Sequence, residues 1–138
     1  MGTALIVVDT NLIAYTLLEG PYTPLALRVR EKDPEWSLPP LWRHEFLNVL
    51  VTYAQHGGLE PAEALAVWGR ALKLLAPCEH IVDLTVAFHL AVIHRVSAYD
   101  AQFIALAQSL NVLCLTEDRH LLKTFPRLAI SMRQFCAE

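Results

Sequence analysis

The feature that most constrains the fold is an apolar run, Leu5–Val8, which ends in Asp9-Thr10-Asn11. Large aliphatic residues that are followed by a carboxylate and a helical pattern predict a buried strand turning sharply into a helix. In open α/β sheets, ligands bind just beyond the carboxyl ends of such strands. Asp9 is therefore predicted to lie where the chemistry of such a protein is usually done.

Strand and helix patterns alternate along the rest of the chain. Strands are predicted at Leu5–Val8, Trp36–Leu38, His80–Val82, Val112–Leu115 and Leu128–Met132. Helices are predicted at Asn11–Leu18, Pro24–Glu31, Leu41–Gln55, Pro61–Ala76, Leu84–Val96, Asp100–Leu110 and Glu117–Lys123. This order, at 138 residues, predicts one domain over residues 1–138, a three-layer α/β/α fold with a mainly parallel central sheet.

Two local predictions concern the early helices. Thr23 precedes Pro24 and is expected to cap the second helix. In the fourth helix, the spacing of three and four residues between apolar positions predicts one packed face. Its members are Leu65, Trp68, Leu72 and Leu75. The helix pair Leu41–Ala76 has apolar residues to spare, and this predicts a surface for a second copy or a partner helix.

Composition limits the class of protein. Hydrophobic residues make up 54% and charged residues 18%, which fits a sheet covered on both faces. The formal net charge is −3, so any nucleic acid must be attracted by a local patch or by bound cations. Three cysteines at unrelated spacings predict free thiols in a reducing compartment. The sequence shows no signal peptide and no membrane-spanning stretch, which predicts a cytoplasmic protein.

Four carboxylates are predicted to converge at one edge of the sheet. They are Asp9, Glu45, Asp100 and Asp118. Asp9 and Asp118 follow strands, whereas Glu45 and Asp100 lie in the first turns of helices that connect strands. Since connecting helices begin at the edge where the preceding strand ends, all four side chains can reach the carboxyl rim of the sheet.

Each of these residues also has a purely structural explanation. Asp9 and Asp118 can cap the helices that follow them, and Ser97 with Asp100 can form a capping box. Asn11 and Thr116 are ordinary turn residues. Glu45 is the more informative acid, because it borders the packed face of its helix and has no cation on its own stripe. A partly buried carboxylate is costly unless it is paired or bound to a metal.

Taken together, the four acids favour a metal site. Neighbouring carboxylates repel each other, and a divalent cation removes that conflict. A ligand set made only of oxygen atoms suits Mg²⁺ or Mn²⁺, as one or two ions. The chemistry that such a site supports is hydrolysis of a phosphodiester by water that the metal activates.

The same residues carry a family resemblance. VVDTN after the first strand, the glutamate within WRHEFLNVL, AYDAQFIALA and LTEDRHL together resemble the PIN domain, and more narrowly its VapC-like toxins. The resemblance implies an endoribonuclease that depends on Mg²⁺ or Mn²⁺, acts on RNA, is inhibited by a cognate antitoxin and is usually a homodimer. It also implies that Asp9, Glu45, Asp100 and Asp118 form the acidic catalytic set, of which Asp9 and Asp100 are the firmest metal ligands. Asn11 and Thr116 match the family's polar supporting positions, which contact phosphate or metal-bound water.

Two other functions remain open at this point. A catalytically silent PIN-like module would only bind other proteins. A receiver-type phosphoacceptor domain is also small, α/β and acid-rimmed, but it needs an acidic pair after the first strand and a lysine after the last. Here Thr10 follows Asp9, and Lys123 falls in a helical pattern, which argues against the receiver.

Overall fold

The computed structural model describes residues 5–137, in which α-helices flank a four-stranded sheet. Its strands are β1 (Ile6–Val8), β2 (Trp36–Ser37), β3 (Cys114–Leu115) and β4 (Ala129–Ile130). Its α-helices are α1 (Thr10–Leu17), α2 (Thr23–Lys32), α3 (Trp42–His56), α4 (Pro61–Leu75), α5 (Leu84–His94), α6 (Ala98–Leu110), α7 (Arg119–Thr124) and α8 (Met132–Ala137). A 3₁₀ turn, Ala76–Cys78, follows α4.

All pairings within the sheet are parallel, and the strand order is β2-β1-β3-β4. Val7 lies opposite Ser37 on one side and Cys114 on the other, so β1 is a central strand. The carboxyl ends of all four strands therefore meet at one edge of the sheet, which we call the carboxyl rim. Asp9 follows β1 at this rim, as the sequence predicted.

Two separate hydrophobic clusters cover the two faces of the sheet. Ile6 and Val8 point into a cluster formed with α1, α2, α3, α4 and α8. Val7 points to the opposite face, into a cluster formed with α5, α6 and α7. Alternation along β1 thus serves two buried faces, which is why this strand is apolar throughout. The predicted three-layer α/β/α fold with a parallel sheet is confirmed.

The strand predicted at His80–Val82 is wrong. Glu79 forms a single parallel bridge with Leu38, and the chain then stays irregular until α5 begins. The side chain of Ile81 is 94% exposed, so the apolar pattern of this segment does not report a place in the sheet. The segment is short and contacts only the edge of β2, and no ladder of paired residues extends from the bridge between Glu79 and Leu38.

Glu79 nevertheless ties this segment to the start of α3. Its carboxylate accepts hydrogen bonds from Trp42 Nε1 at 2.7 Å and from Arg43 Nε at 2.5 Å, with Arg43 Nη2 at 3.2 Å. These bonds lower the pKa of the Glu79 carboxyl below its ordinary value, the Arg43 bond being the larger cause. Because Arg43 is engaged here, the first turn of α3 has a fixed position, and Glu45 belongs to that turn.

Three of the four residues on the packed face of α4 lie one position before the predicted ones. Leu75 is buried as expected, but Leu65 is 67% exposed, and Trp68 and Leu72 are only partly buried. The buried positions are Ala64, Val67, Ala71 and Leu75. Small alanines face the core because α4 packs closely against α3, and the larger apolar residues are left at the surface.

Thr23 does not cap α2 as predicted. Tyr22 occupies the cap position, and the Thr23 hydroxyl donates to the carbonyl oxygens of Tyr15 at 2.6 Å and Leu18 at 3.0 Å. Thr23 therefore satisfies the last carbonyls of α1 rather than the first amides of α2. Its effect is to fasten the start of α2 to the end of α1.

Neither a membrane-spanning helix nor a disulfide bond is present among the described residues. Between residues 5 and 137, no helix is both long enough and apolar enough to cross a membrane. The thiols of Cys78, Cys114 and Cys136 are free, as predicted. Complete burial raises the pKa of Cys114, which keeps this thiol protonated.

The observed face of α4 leads to a stability prediction. Leu75→Ala should lower the free energy of unfolding by about 2–5 kcal/mol, because it removes a buried side chain and leaves a cavity. Leu65→Ala, on the same helix, should change it by no more than about 0.5 kcal/mol. Urea unfolding followed by circular dichroism measures both. Equal losses for the two variants would contradict the observed packing.

Candidate active site

Asp9 occupies the N-cap position of α1, but its carboxylate does not cap the helix. Instead, Asp9 Oδ2 accepts a hydrogen bond from Thr116 Oγ1 at 2.8 Å, across the junction of β1 and β3. The Thr116 side chain is fully buried, and its oxygen also accepts from the Asp118 amide at 3.1 Å. The structural explanation for Asp9 thus fails, and Thr116 holds the carboxylate at the rim.

Glu45 is held by a residue that the sequence analysis did not select. Thr10 Oγ1 donates to Glu45 Oε1 at 2.6 Å, which joins the first turn of α1 to the first turn of α3. Thr10 is 4% exposed, so this is a buried hydroxyl with one defined partner. The sequence carried one signal for this role. Thr10 is a β-branched polar residue that directly follows Asp9, at a position that faces the core.

Asp100 and Asp118 combine capping with a place at the rim. The Asp100 amide donates to Ser97 Oγ at 3.0 Å, which forms half of the predicted capping box. Asp118 Oδ1 accepts from the Leu121 amide at 2.9 Å and caps α7. Capping uses one oxygen of the Asp118 carboxylate, and the side chain remains exposed.

The electrostatics show that these acids are near one another. Burial raises the pKa of Asp9 above its ordinary value, and the negative charges of Asp100 and Asp118 raise it further. The hydrogen bond from Thr116 opposes this shift. Burial also raises the pKa of Asp100, the charge of Asp118 adds to the rise, and Ser97 and then His120 partly lower it.

Glu45 experiences the same field. Burial raises the pKa of its carboxyl, the Thr10 hydrogen bond lowers it, and the charges of Asp9 and Asp100 raise it again. The structure therefore brings Glu45, Asp9, Asp100 and Asp118 into one negatively charged region at the carboxyl rim. We refer to these four residues as the acidic quartet.

Three neighbours of the quartet have defined positions. Asn11 is exposed and forms no side-chain hydrogen bond among residues 5–137. Glu117 Oε2 accepts from the Met132 amide at 2.8 Å, so this extra carboxylate is engaged at the start of α8. His120 lies close enough to Asp100 to affect its pKa, and its Nε2 is 3.2 Å from the Arg95 carbonyl oxygen.

Carboxylate oxygens are the ligands that a hard divalent cation prefers, although the described carboxylates do not surround one common position. In the described part of the chain, no three His, Cys, Asp or Glu side chains are grouped closely enough to hold a metal ion. Hydrogen bonds to Thr10, Thr116 and the Leu121 amide engage one oxygen each of Glu45, Asp9 and Asp118. A divalent cation such as Mg²⁺ or Mn²⁺ would offset the repulsion between these carboxylates and would bind their oxygen atoms.

The chain is similar to known proteins over most of its length. The sequence profile of the PIN domain family matches residues 6–128. Ribonuclease VapC3 of Pyrobaculum aerophilum is 33% identical over 129 residues, which cover 89% of this chain and 96% of the relative.

Solved structures are similar in fold. PAE2754 from Pyrobaculum aerophilum has a TM-score of 0.75 at 22% identity, covering 97% of this chain and 95% of its own. FitAcB from Neisseria gonorrhoeae has a TM-score of 0.69 at 16% identity, covering 93% and 98%. VapBC2 from Rickettsia felis, bound to a DNA fragment from their promoter, has a TM-score of 0.58 at 11% identity, covering 92% and 98%.

The raised carboxyl pKa values predict how stability depends on pH. A carboxyl with a raised pKa binds its proton more tightly in the folded chain, so its charge destabilises the fold at neutral pH. This destabilisation fades as the pH falls through the folded pKa, and it is absent below the unfolded value of about 4. In EDTA, Asp100→Asn should therefore raise the free energy of unfolding at pH 7 and leave it unchanged near pH 4.

Water screens the half-buried Asp100, so the gain at pH 7 should not exceed about 1 kcal/mol. Urea unfolding at the two pH values measures it, with Glu19→Gln as a control that removes an exposed charge elsewhere. A loss of stability at pH 7 in Asp100→Asn would show that the acids of the quartet do not oppose one another.

Proposed function

The chain belongs to the PIN domain family, and we propose that it is a divalent-metal-dependent endoribonuclease, the toxin of a toxin–antitoxin pair. The observation that carries the proposal is the acidic quartet at the carboxyl rim. Burial raises the pKa values of Asp9, Glu45 and Asp100, and the charges of neighbouring acids raise them further. Capping accounts for Asp118 and for part of Asp100, but it does not account for Asp9 or Glu45. A shared cation does account for them.

RNA is the proposed substrate because of the curated relative. Ribonuclease VapC3 is similar to this chain over most of both sequences. The receiver-type alternative is dropped, since the chain belongs to another family. We expect the protein to act in the cytoplasm, where free thiols persist.

Asp9 and Asp100 are the proposed principal ligands of Mg²⁺ or Mn²⁺, with Glu45 and Asp118 completing the set as one or two ions bind. Such an ion, when bound, lowers the pKa of water and offsets negative charge on the scissile phosphate. Thr116 fixes the orientation of the Asp9 carboxylate, and Thr10 does the same for Glu45. These threonines are positioning residues, because they act through the acids.

The side chain of Asn11 is exposed at the rim, where it can contact the substrate. Asn11 is exposed one residue beyond the buried Thr10, at the start of α1. Its amide can donate to a phosphate oxygen or to water at the cation, which is the supporting role that the resemblance implies. Thr116, by contrast, is fully buried, so its role is limited to the Asp9 carboxylate and the Asp118 amide.

A cognate antitoxin is the proposed protein partner, and the α3/α4 groove is its proposed site. This surface groove has a volume of about 260 Å³ and is almost entirely apolar. Its lining includes Leu47, Val51, Leu65 and Trp68, three of which are exposed by more than 40%. Leu47 and Val51 lie on α3 and Leu65 and Trp68 on α4, and together they suit the apolar face of a partner helix.

A homodimer is proposed to form through α5. Leu84, Phe88 and Val92 recur every four residues on this helix and are 63%, 61% and 62% exposed. Ile93 on the same helix and Ile81, which precedes it, are 70% and 94% exposed. A helix that is apolar around its circumference is normally covered, and a second copy can cover this one by an isologous contact.

The nuclease proposal predicts metal-dependent cleavage that requires the quartet. The purified protein should cleave a structured RNA pool with Mg²⁺ or Mn²⁺ and should be inactive in EDTA. Asp100→Asn and Asp9→Asn should each lower the rate by at least about 100-fold, because each removes a charged ligand from the shared site. Gel electrophoresis of end-labelled RNA measures both results.

Glu117→Gln is the matched control for these variants. Glu117 adjoins Asp118 in sequence, but its carboxylate is bound to the Met132 amide, and glutamine can accept the same hydrogen bond. Its activity should stay within a fewfold of wild type. Cleavage that survives EDTA or Asp100→Asn would overturn the proposal. Folded protein that cleaves no RNA would support the alternative, a catalytically silent protein-binding module.

The dimer proposal predicts a change in mass when α5 is charged. Phe88→Glu with Ile93→Glu should convert a dimer to a monomer, because the contact would bury two carboxylates from each copy without partners. Light scattering after size-exclusion chromatography measures the mass. Leu65→Glu, on the exposed face of α4, is the control and should leave the mass unchanged. A wild-type monomer at all concentrations would rule out the proposed dimer.

A further inference from the structure

A further surface feature, separate from the α3/α4 groove and the α5 surface, lies on the face of the sheet that carries α2 and α8. These two helices leave between them a cleft of about 460 Å³, which we call the α2/α8 cleft. Tyr22, Leu25 and Arg28 line it from one side, and Arg133 and Cys136 from the other. None of these residues belongs to the acidic quartet or to the two apolar surfaces proposed for protein partners.

The cleft is basic in a protein whose net charge is −3. Arg28 and Arg133 are both exposed, and the described residues offer neither guanidinium a hydrogen bond or an ion pair. No acidic side chain in the described part of the chain lines the cleft itself. Arg28 and Cys136 also line an adjoining cavity, together with Glu31 and Lys32. Two unpaired guanidinium groups in one concave surface form an anion-binding pattern.

The cleft is connected to the carboxyl rim through two tyrosines. The rings of Tyr15 and Tyr22 are 4.8 Å apart between centroids, and Tyr22 lines the cleft. Tyr15 lies near the rim, since the charges of Glu117 and Asp9 contribute to the raised pKa of its hydroxyl, after burial and Tyr22. Arg133 belongs to the first turn of α8, which begins where Glu117 binds the Met132 amide. The cleft therefore starts beside the acidic site.

We propose that the α2/α8 cleft binds a single strand of the RNA substrate next to the cleaved bond, with phosphates on Arg28 and Arg133. Tyr22, which is 48% exposed, supplies a ring on which one base stacks. The inference rests on the proposed ribonuclease function and adds the path of the substrate to it. It also explains how a net-acidic protein holds a polyanion, because the attraction is local.

The shape of the cleft favours a single strand. Its volume is that of a pocket for one small molecule, so it has room for a short stretch of one chain and none for a duplex. The mixed lining of arginine, tyrosine and aliphatic residues matches a ligand that alternates phosphates with flat bases. A peptide of acidic residues alone would use the arginines but would leave Tyr22 and Leu25 without a matching group.

The test compares RNA binding by two double variants of the full-length protein. Arg28→Ala with Arg133→Ala removes the arginines of the cleft, and Arg70→Ala with Arg127→Ala removes two exposed arginines that do not line it. Fluorescence anisotropy with a labelled single-stranded RNA in EDTA reports binding without cleavage. The cleft variant should bind on the order of tenfold more weakly, and the control should bind like wild type.

The salt dependence gives a readout that a loss of folding would not produce. Losing two phosphate contacts should make the slope of log affinity against log salt less negative by about 1.4, from about 0.7 per contact on a single strand. Tyr22→Ala should weaken binding by on the order of tenfold and leave the slope unchanged, since stacking releases no counterions. Thermal unfolding of each variant confirms that it is folded.

The outcomes separate this inference from the proposed function. If wild type cleaves RNA in Mg²⁺ and the cleft variant keeps its affinity, salt slope and KM, the cleft is not the path of the strand. If wild type never cleaves but binds RNA through the two arginines, the cleft stands and the nuclease proposal falls. If an oligoglutamate peptide binds more tightly than RNA and only its affinity depends on the arginines, the occupant is an acidic protein segment and the inference is wrong.

Discussion

Repulsion between carboxylates at the carboxyl rim is the constraint on which the rest of this structure depends. Parallel strands and the helices that connect them carry Asp9, Glu45 and Asp100 to one edge, where burial and mutual charge raise all three pKa values. The fold must hold this unfavourable arrangement together by other means. It does so with two apolar clusters on either side of β1 and with buried threonine hydroxyls that bind two of the acids. Stability is thereby given up at the place where function is proposed.

The sequence predicted the sheet and the quartet because both follow from local rules. An apolar run that ends in Asp9 has few alternatives to a central strand, and acids at strand ends or in first helical turns must meet at one rim. Thr10 was missed because its importance depends on Glu45, 35 residues away, and no spacing rule links them. The Thr23 prediction was wrong for a related reason. A hydroxyl before a proline suits a cap, but the end of α1 offered it nearer carbonyl partners.

The errors on α4 and at His80–Val82 share one cause. Both predictions assumed that large apolar residues point inward, whereas Leu65 and Ile81 are among the most exposed large apolar residues of the described chain. Within α4 the alanines pack because helices that approach closely need small residues between them. Apolar patterning therefore records two kinds of burial at once, within the chain and against partners. A single sequence cannot separate them, and the structure of one copy does so by showing which residues remain outside.

The arrangement of these outer surfaces bears on how the proposed activities fit together. The α5 surface belongs to the layer on one face of the sheet, and α2 and α8 belong to the layer on the other. A dimer through α5 would consequently leave both copies of the α2/α8 cleft open, each beside its own acidic quartet. The α3/α4 groove, in contrast, shares a layer with the cleft, and Glu45 lies on α3 itself. A helix seated in that groove would therefore contact the helix that carries Glu45. The antitoxin and RNA would then bind on the face of the sheet that carries α2, α3, α4 and α8, whereas the dimer would form on the face that carries α5.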